Sequence, residues 1–258
     1  MNKPLAAPDT PPASPPLAAR TRLKVLSYNV HSCIGTDRKL DPERIAEVIA
    51  EVNPDIIGLQ ELDVGRMRTA GVDQAHTIAS LLKMEFHFHP ALRVQEEHYG
   101  DAILTALPAR LIKAGDLRST GEQRGALWVE VDVGYKKLQV FNTHLGLRGA
   151  DRLNQIGELL GPSWINHPDA AGKPRILIGD FNSPPITATY KAIARQLTDA
   201  QRKTNGRNAA TYPSGFPFMK IDHIFVSDEV EAVETTAVST PLARLASDHL
   251  PLLATVDV

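Results

Sequence analysis

Six short stretches of this chain set acids, amides or histidines directly against apolar runs. They are Ser27-Tyr28-Asn29-Val30, Leu59-Gln60-Glu61, Asn142-Thr143-His144-Leu145, Gly179-Asp180-Phe181-Asn182, Ile221-Asp222-His223-Ile224-Phe225 and Ser247-Asp248-His249-Leu250-Pro251. Carboxylates hold hard cations or take protons, imidazoles exchange protons near neutral pH, and carboxamides donate hydrogen bonds to charged oxygens. Such groups become a site when a rigid scaffold holds them together. The run Arg175-Ile176-Leu177-Ile178-Gly179 is short and aliphatic enough for a buried strand. If the chain stays extended through Phe181, its period of two puts Asp180 and Asn182 on one side. That pair could position a water, a metal-bound oxygen or a phosphoryl group.

The positions of these residues depend on strands. Residues 23–30 read as a first strand and 55–60 as a second. Between them Asp41 supplies an N-cap, Pro42 suits the first helical position, and Ile45, Val48, Ile49 and Val52 recur at helical spacing. A second helix is expected from Asp73, with Ala75, Ile78, Ala79 and Leu82 inward. Strands follow over 102–106, 126–133 and 137–142, the last two forming a hairpin at Gly134-Tyr135. Helical spacing returns at Leu153, Ile156 and Leu160 and again at Tyr190, Ile193, Ala194 and Leu197. Late strands are expected over 220–226 and 250–258. Strands mixed with helices, some in hairpins, imply an α/β fold of two packed mixed sheets with outer helices, a four-layered α/β/β/α sandwich.

Bulk properties narrow the classes. A chain of 258 residues, 43% hydrophobic and 22% charged, has the composition of a globular protein with a sizeable core. Its formal net charge of -2 argues against a broad cationic surface that grips duplex DNA through its phosphates. The single cysteine, Cys33, excludes a disulfide framework and a multi-cysteine zinc site, and reads as a small packed residue. Six prolines fall in the first sixteen residues, so residues 1–20 are expected to be a disordered Pro/Ala-rich segment and residues 21–258 one domain. No run has transmembrane length, so no stable membrane insertion is expected, and a cytoplasmic location is.

The six stretches, in this order and across nearly all of residues 23–258, closely resemble the endonuclease/exonuclease/phosphatase superfamily of metal-dependent phosphoester hydrolases. The resemblance implies Mg²⁺, with Mn²⁺ as a substitute. It further implies Glu61 as metal ligand, Asn29 as an oxygen donor beside it, and Asp248 as a further contact. The absence of a cysteine cluster agrees with a hard cation. His249 is expected to be the acid–base or transition-state group, oriented by Asp222. Asp180 would orient or deprotonate the attacking water, while Asn182 and His144 donate to phosphoryl oxygens. Sequence leaves open whether Asp180 or His249 takes the proton.

Among loop residues, Arg124, Arg148 and Tyr212 are candidates for substrate binding, since guanidinium matches phosphate bidentately and Tyr212 could wall a pocket. For Arg38, Arg66, Arg68 and Arg118 a solvated surface arginine is the main reading, although one or two of the six loop arginines are expected to bind substrate phosphate. His31 shares a face with Asn29 if the first strand continues. His87 and His89 could form a metal pair or simply face a packed strand, and His223 points opposite to Asp222. Asp101 stands where many relatives carry Asn, so it could recruit a second cation or weaken contact with an anionic substrate. The expected partner is a small or lipid-derived phosphoester; nucleic acid is the less favoured alternative. A non-catalytic phosphate-binding module fares worse, because all the chemistry-bearing residues are present together.

Overall fold

In the computed structural model, which describes residues 20–204 and 209–258, the elements run as follows. The first half contains β1 (Arg22–Asn29), α1 (Pro42–Val52), β2 (Ile56–Val64), α2 (Gln74–Leu82), β3 (Glu85–Val94), β4 (Glu97–Thr105), β5 (Ala109–Leu117), β6 (Arg124–Val133) and β7 (Lys136–His144). The second contains α3 (Gly149–Leu159), β8 (Arg175–Asp180), α4 (Ala188–Ile193), β9 (Thr198–Asp199), α5 (Ala200–Lys203), β10 (Asp222–Val226), β11 (Glu231–Ala237), α6 (Pro241–Ala246) and β12 (Leu252–Asp257). Apart from Arg20, the N-terminal segment expected to be disordered lies outside the described residues.

Two six-stranded mixed sheets pack face to face, in the orders β11-β12-β1-β2-β4-β3 and β5-β6-β7-β8-β10-β9. Between them lies an aliphatic core that includes Val25, Ile56, Leu127, Val129, Ile178 and Ile224, all fully buried. Each such side chain contributes ~1.5–3 kcal/mol of transfer free energy. Helices α1, α2 and α6 cover the outside of the first sheet, where Ile45, Ile49, Ile78 and Ala243 meet Tyr28 and Leu59. Helices α3 and α4 cover the second, where Ile156 and Tyr190 meet Phe141 and Phe225. The four-layered sandwich is therefore the fold. Helix α1 begins as its sequence predicts: the Asp41 side chain accepts Arg44 N–H, and Pro42 occupies the first turn.

Each sheet contains one parallel pair, β1 with β2 and β7 with β8, and a helix makes each crossover. The carboxyl ends of both pairs open on the same cleft, the usual place for a site in α/β architecture. Asn29 stands opposite Gln60 in one pair and His144 opposite Asp180 in the other. A polar clasp joins the sheets just behind them. Gln60 Nε2 donates to Asn142 Oδ1 (2.8 Å), and Asn142 Nδ2 donates to the carbonyls of Leu59 and Ala102 (2.9 Å each). Gln60 and Asn142 thus serve the scaffold: both are fully buried and their amides bind across the sheets, with Gln60 Oε1 left unpaired.

Candidate active site

His144, Asp180, Asp222 and His249 are buried together at the ends of β7, β8 and β10 and just before β12. Strand β10 runs antiparallel to β8 and pairs Asp222 directly with Asp180, which brings the two carboxylates to one spot. His249 Nδ1 lies 2.9 Å from Asp222 Oδ2, and its Nε2 lies 3.7 Å from Asp180 Oδ2. Thr211 Oγ1 donates to the same Asp222 oxygen, while Asp222 Oδ1 is buried with no partner. The Tyr212 ring lies against His249 at 4.8 Å between centroids. Burial alone would push the His249 imidazole down, but Asp222 and Asp180 overcome it and hold the ring up at about 10. Burial, reinforced by Asp222, pushes Asp180 upward.

His144 is held differently. Arg124 Nη1 lies 3.1 Å from its Nδ1, and its Nε2 lies 3.1 Å from the Asn182 amide nitrogen and 3.5 Å from Asp180 Oδ2. Burial and the neighbouring Arg124 and His249 keep this imidazole well below its ordinary value, hence neutral. A close approach lets β8 reach this position. A Cβ on Gly179 (φ 154°) would lie 2.0 Å from Thr143 O, so only glycine fits beside Asp180.

Asn182 corrects an expectation. The extended chain ends at Asp180 and Asn182 turns into the left-handed region (φ 48°), so the two do not share a strand face. They meet nonetheless, because Asn182 N–H donates to Asp180 Oδ1 (2.8 Å). The Asn182 amide nitrogen lies 3.1 Å from His144 Nε2 and donates to Leu145 O.

On the other side of the cleft, Glu61 interrupts its strand. The pairing of β2 with β4 slips between Leu59 and Leu62, and Glu61 adopts φ 64°, a bulge that re-aims its side chain. Asp101 is buried in β4, beside Glu61. Burial raises the Asp101 carboxyl to about 7, with Arg124 acting against the rise. Asp101 therefore stands beside the bulge, a place its sequence neighbours did not reveal.

Asn29 also differs from expectation. Its Oδ1 accepts His31 N–H (3.0 Å), which fixes the amide's orientation. Its nitrogen, not its oxygen, faces the cleft and donates to Glu61 Oε1 (2.9 Å) and Asp180 Oδ2 (3.0 Å). Asp248 stays apart from the buried cluster, at the mouth, 4.0 Å from His31 Nδ1. The donors nevertheless suit a hard cation. Glu61 and Asp180 converge on one amide nitrogen, Asp180 is pushed upward, and Asp222 Oδ1 lacks a partner. One ligand atom each from Asp180, Asp222 and His249 lie within 4.8 Å of one another.

Other expectations resolve unevenly. Strand β1 ends at Asn29, so His31 does not continue it. His31, Ser32 and Cys33 form a left-handed turn (φ 47°, 51° and 56°) that places His31 at the cleft. His89 is taken by Asp116 (3.0 Å), and no metal pair with His87 forms. His223 points away as expected, to Ser183 O and Asp199. Cys33 is buried, and burial pushes its thiol up, leaving it inert. Arg124 reaches the site floor. Arg148 is exposed at the rim near Thr120, and Arg38 and Arg118 are exposed. Arg66 and Arg68 depart from a plain surface role. With His31, Ser32, Tyr99, Glu61 and Glu122 they line a cavity of about 150 Å³ beside Glu61. The Arg-x-Arg spacing five residues after Glu61 was the available signal for it.

The sequence matches the Endonuclease/Exonuclease/phosphatase family over residues 26–249, which takes in the acids, amides and histidines of all six polar stretches. The chain belongs to this family. Members of the endonuclease/exonuclease/phosphatase family are phosphoester hydrolases, and the buried acid–histidine cluster has the groups for that chemistry. The chain is 29% identical over 248 residues to the uncharacterised protein YbhP of Escherichia coli, covering 91% of this chain and 96% of that one. It shares its fold with a family member from Beutenbergia cavernae (TM-score 0.74, 24% identity, 92% of this chain and 72% of that one). The fold is also that of a mannosyl-6-phosphatase from Bacteroides thetaiotaomicron (0.75, 19%, 91% and 99%) and of the human Nocturnin catalytic domain with bound sulfate (0.70, 21%, 93% and 98%). Among the described residues no helix is long and apolar enough to cross a membrane.

Proposed function

We propose that the protein hydrolyses a small or lipid-derived phosphoester by in-line attack of water, with Mg²⁺ as the resident ion and Mn²⁺ as a substitute. The observation that carries this reading is the convergence of Asp180, Asp222, His249 and His144 in one buried cluster facing Glu61 across the cleft. When bound, the ion would neutralise phosphoryl charge and steady the leaving group. Glu61 is the residue best suited to hold it, Asn29 fixes the carboxylate's orientation, and Asp248 is available from the mouth.

The chain's own residues divide the proton work. His249, held near 10 by Asp222 and Asp180, favours the imidazolium at neutral pH. It serves as the cationic donor to the phosphoryl group, with Asp222 and Thr211 fixing its ring. Asp180, pushed upward by burial and by Asp222, is matched to accept the water's proton. The Asn182 amide donates toward the phosphoryl oxygens, with the His144 imidazole beside it. Arg124 holds the His144 ring from behind. DNA cleavage is less favoured, since the net charge of -2 gives no broad phosphate-binding surface.

The test is hydrolysis of p-nitrophenyl phosphate and bis(p-nitrophenyl) phosphate with Mg²⁺ or Mn²⁺. Turnover that stops with EDTA and returns with added metal is expected. A protein inert toward both esters and a wider phosphoester panel with either ion would sink the reading.

A further inference from the structure

The cavity beside Glu61 holds none of the buried cluster His144, Asp180, Asp222 and His249, yet it shares Glu61 with that cleft. Its walls are costly to build. Three consecutive non-glycine residues, His31, Ser32 and Cys33, sit in the left-handed region, at ~1–2 kcal/mol each. The surroundings enforce this turn. Gln74 Nε2 donates to Ser32 O (2.6 Å), Arg68 Nη2 donates to Ser32 Oγ (3.0 Å), and Cys33 is locked in the core. One result is that His31 returns its Nδ1 to Ile34 O (3.1 Å), which leaves the other ring nitrogen for the cavity. Strain held this firmly beside a reaction centre marks a built surface.

Its electrostatics decide what it takes. The two guanidiniums are already balanced. Arg68 makes a bidentate pair with buried Asp63 (2.7 Å each), and Arg66 lies 3.8 Å from Asp63 and 3.5 Å from Glu97. Both guanidiniums lie near the Tyr99 ring, at 6.0 and 5.4 Å from its centroid. Glu122 is paired with Arg124 (2.8 Å), and Glu61 adds a further acid. A second phosphate would meet guanidiniums whose charge Asp63 and Glu97 already offset and two carboxylates in the wall, whereas Arg66 Nε, buried without a partner, is free to donate to a hydroxyl. A hydroxyl both donates and accepts, so it suits a lining that mixes guanidinium, imidazole, hydroxyl and carboxylate. The volume, about 150 Å³, is under the ~300–1,000 Å³ of drug-sized sites and suits a group of glycerol or single-ring size.

We propose that this cavity is the subsite for the alcohol moiety of the substrate, a polyhydroxylated group such as glycerol, a single sugar or a cyclitol carrying the scissile phosphate. This rests on the phosphoester-hydrolase reading and names its substrate class. The same polyol chemistry arises from soluble polyol phosphates and from lipid headgroups.

The test compares kcat/KM for glycerol 3-phosphate, glucose 6-phosphate, glucose 1,6-bisphosphate, myo-inositol 1-phosphate, thymidine 5′-monophosphate, p-nitrophenyl phosphate and phosphatidylglycerol vesicles, in the wild type, Tyr99→Phe and His31→Asn. Asn tolerates the left-handed conformation, and Tyr99→Phe removes only a hydroxyl, so both variants should fold. At least one polyol ester should exceed the nucleotide by tenfold or more. Both substitutions should raise KM for that ester roughly tenfold, well beyond their effect on p-nitrophenyl phosphate, with kcat little changed. Preference among soluble esters or for the vesicles identifies the source of the polyol. Turnover of p-nitrophenyl phosphate without polyol preference, or a tenfold preference for glucose 1,6-bisphosphate over glucose 6-phosphate, would overturn the subsite and leave the hydrolase reading intact. Inertness toward every ester would remove both.

Discussion

The two sides of the cleft are built from the same unit and to opposite effect. Each begins as a parallel strand pair whose carboxyl ends face the site. On the second sheet these ends feed a buried cluster of two acids and two histidines, where low exposure strengthens every charge interaction. On the first sheet the strand breaks at Glu61, the chain twists left-handed at His31, and charges are cancelled pairwise by Asp63 and Glu97. Concentrated, buried charge suits bond cleavage. Balanced, half-exposed polarity suits recognition of a neutral group. The contrast teaches that the fold separates chemistry from selection, with Glu61 on the border.

The contrast can be broken at several points. The largest effect should come from His249→Ala, which removes the imidazolium and should lower kcat by ~10³-fold or more while KM and the melting temperature change little. Steady-state kinetics beside a thermal melt would check it, and a rate within threefold of wild type would remove His249 from the reaction. Next, Asp222→Asn should cost ~10²-fold and shift the pH profile. A group that must be protonated loses activity as pH rises through its pKa. The alkaline limb, near 10 while Asp222 and Asp180 support His249, should therefore move to lower pH in the variant. An unmoved limb would show that Asp222 does not set this charge. Tyr99→Phe on the recognition side should act more weakly, on KM, and selectively on polyol esters.

The smallest effect lies away from both sides. Burial opposes ionisation of Glu130, but Lys173, Arg110 and Gln139 overcome it and hold the carboxyl at about 2. Depressed below its unfolded value, Glu130 adds stability that is present above about pH 4.5 and lost as pH falls toward 2. Glu130→Gln should therefore narrow the stability gap between pH 6 and pH 3 in urea melts without altering turnover. An unchanged gap would show that the pairing contributes nothing.

Legibility in the sequence followed burial. The central strands β1, β2, β7 and β8 announced themselves as apolar runs because both their faces are covered. The edge strands β5, β9 and β11 did not, and β3 showed only the Phe86–His89 alternation. An edge strand pairs on one side and buries less, so its pattern is weak. At the site, the acids and histidines were legible by type and by position at strand ends. The Asn182 turn, the Asn29 orientation and the place of Asp101 were not, because each depends on a partner distant in the chain.

By itself the sequence determined the layered class, the six polar stretches and the family they belong to, since local periodicity and residue chemistry carry that information. Only the tertiary structure decided that Arg124 holds His144 from behind, that Asp222 faces Asp180, and that a strained turn and two neutralised arginines enclose a small polar cavity. Those properties arise from distances between residues far apart along the chain, which no local pattern encodes.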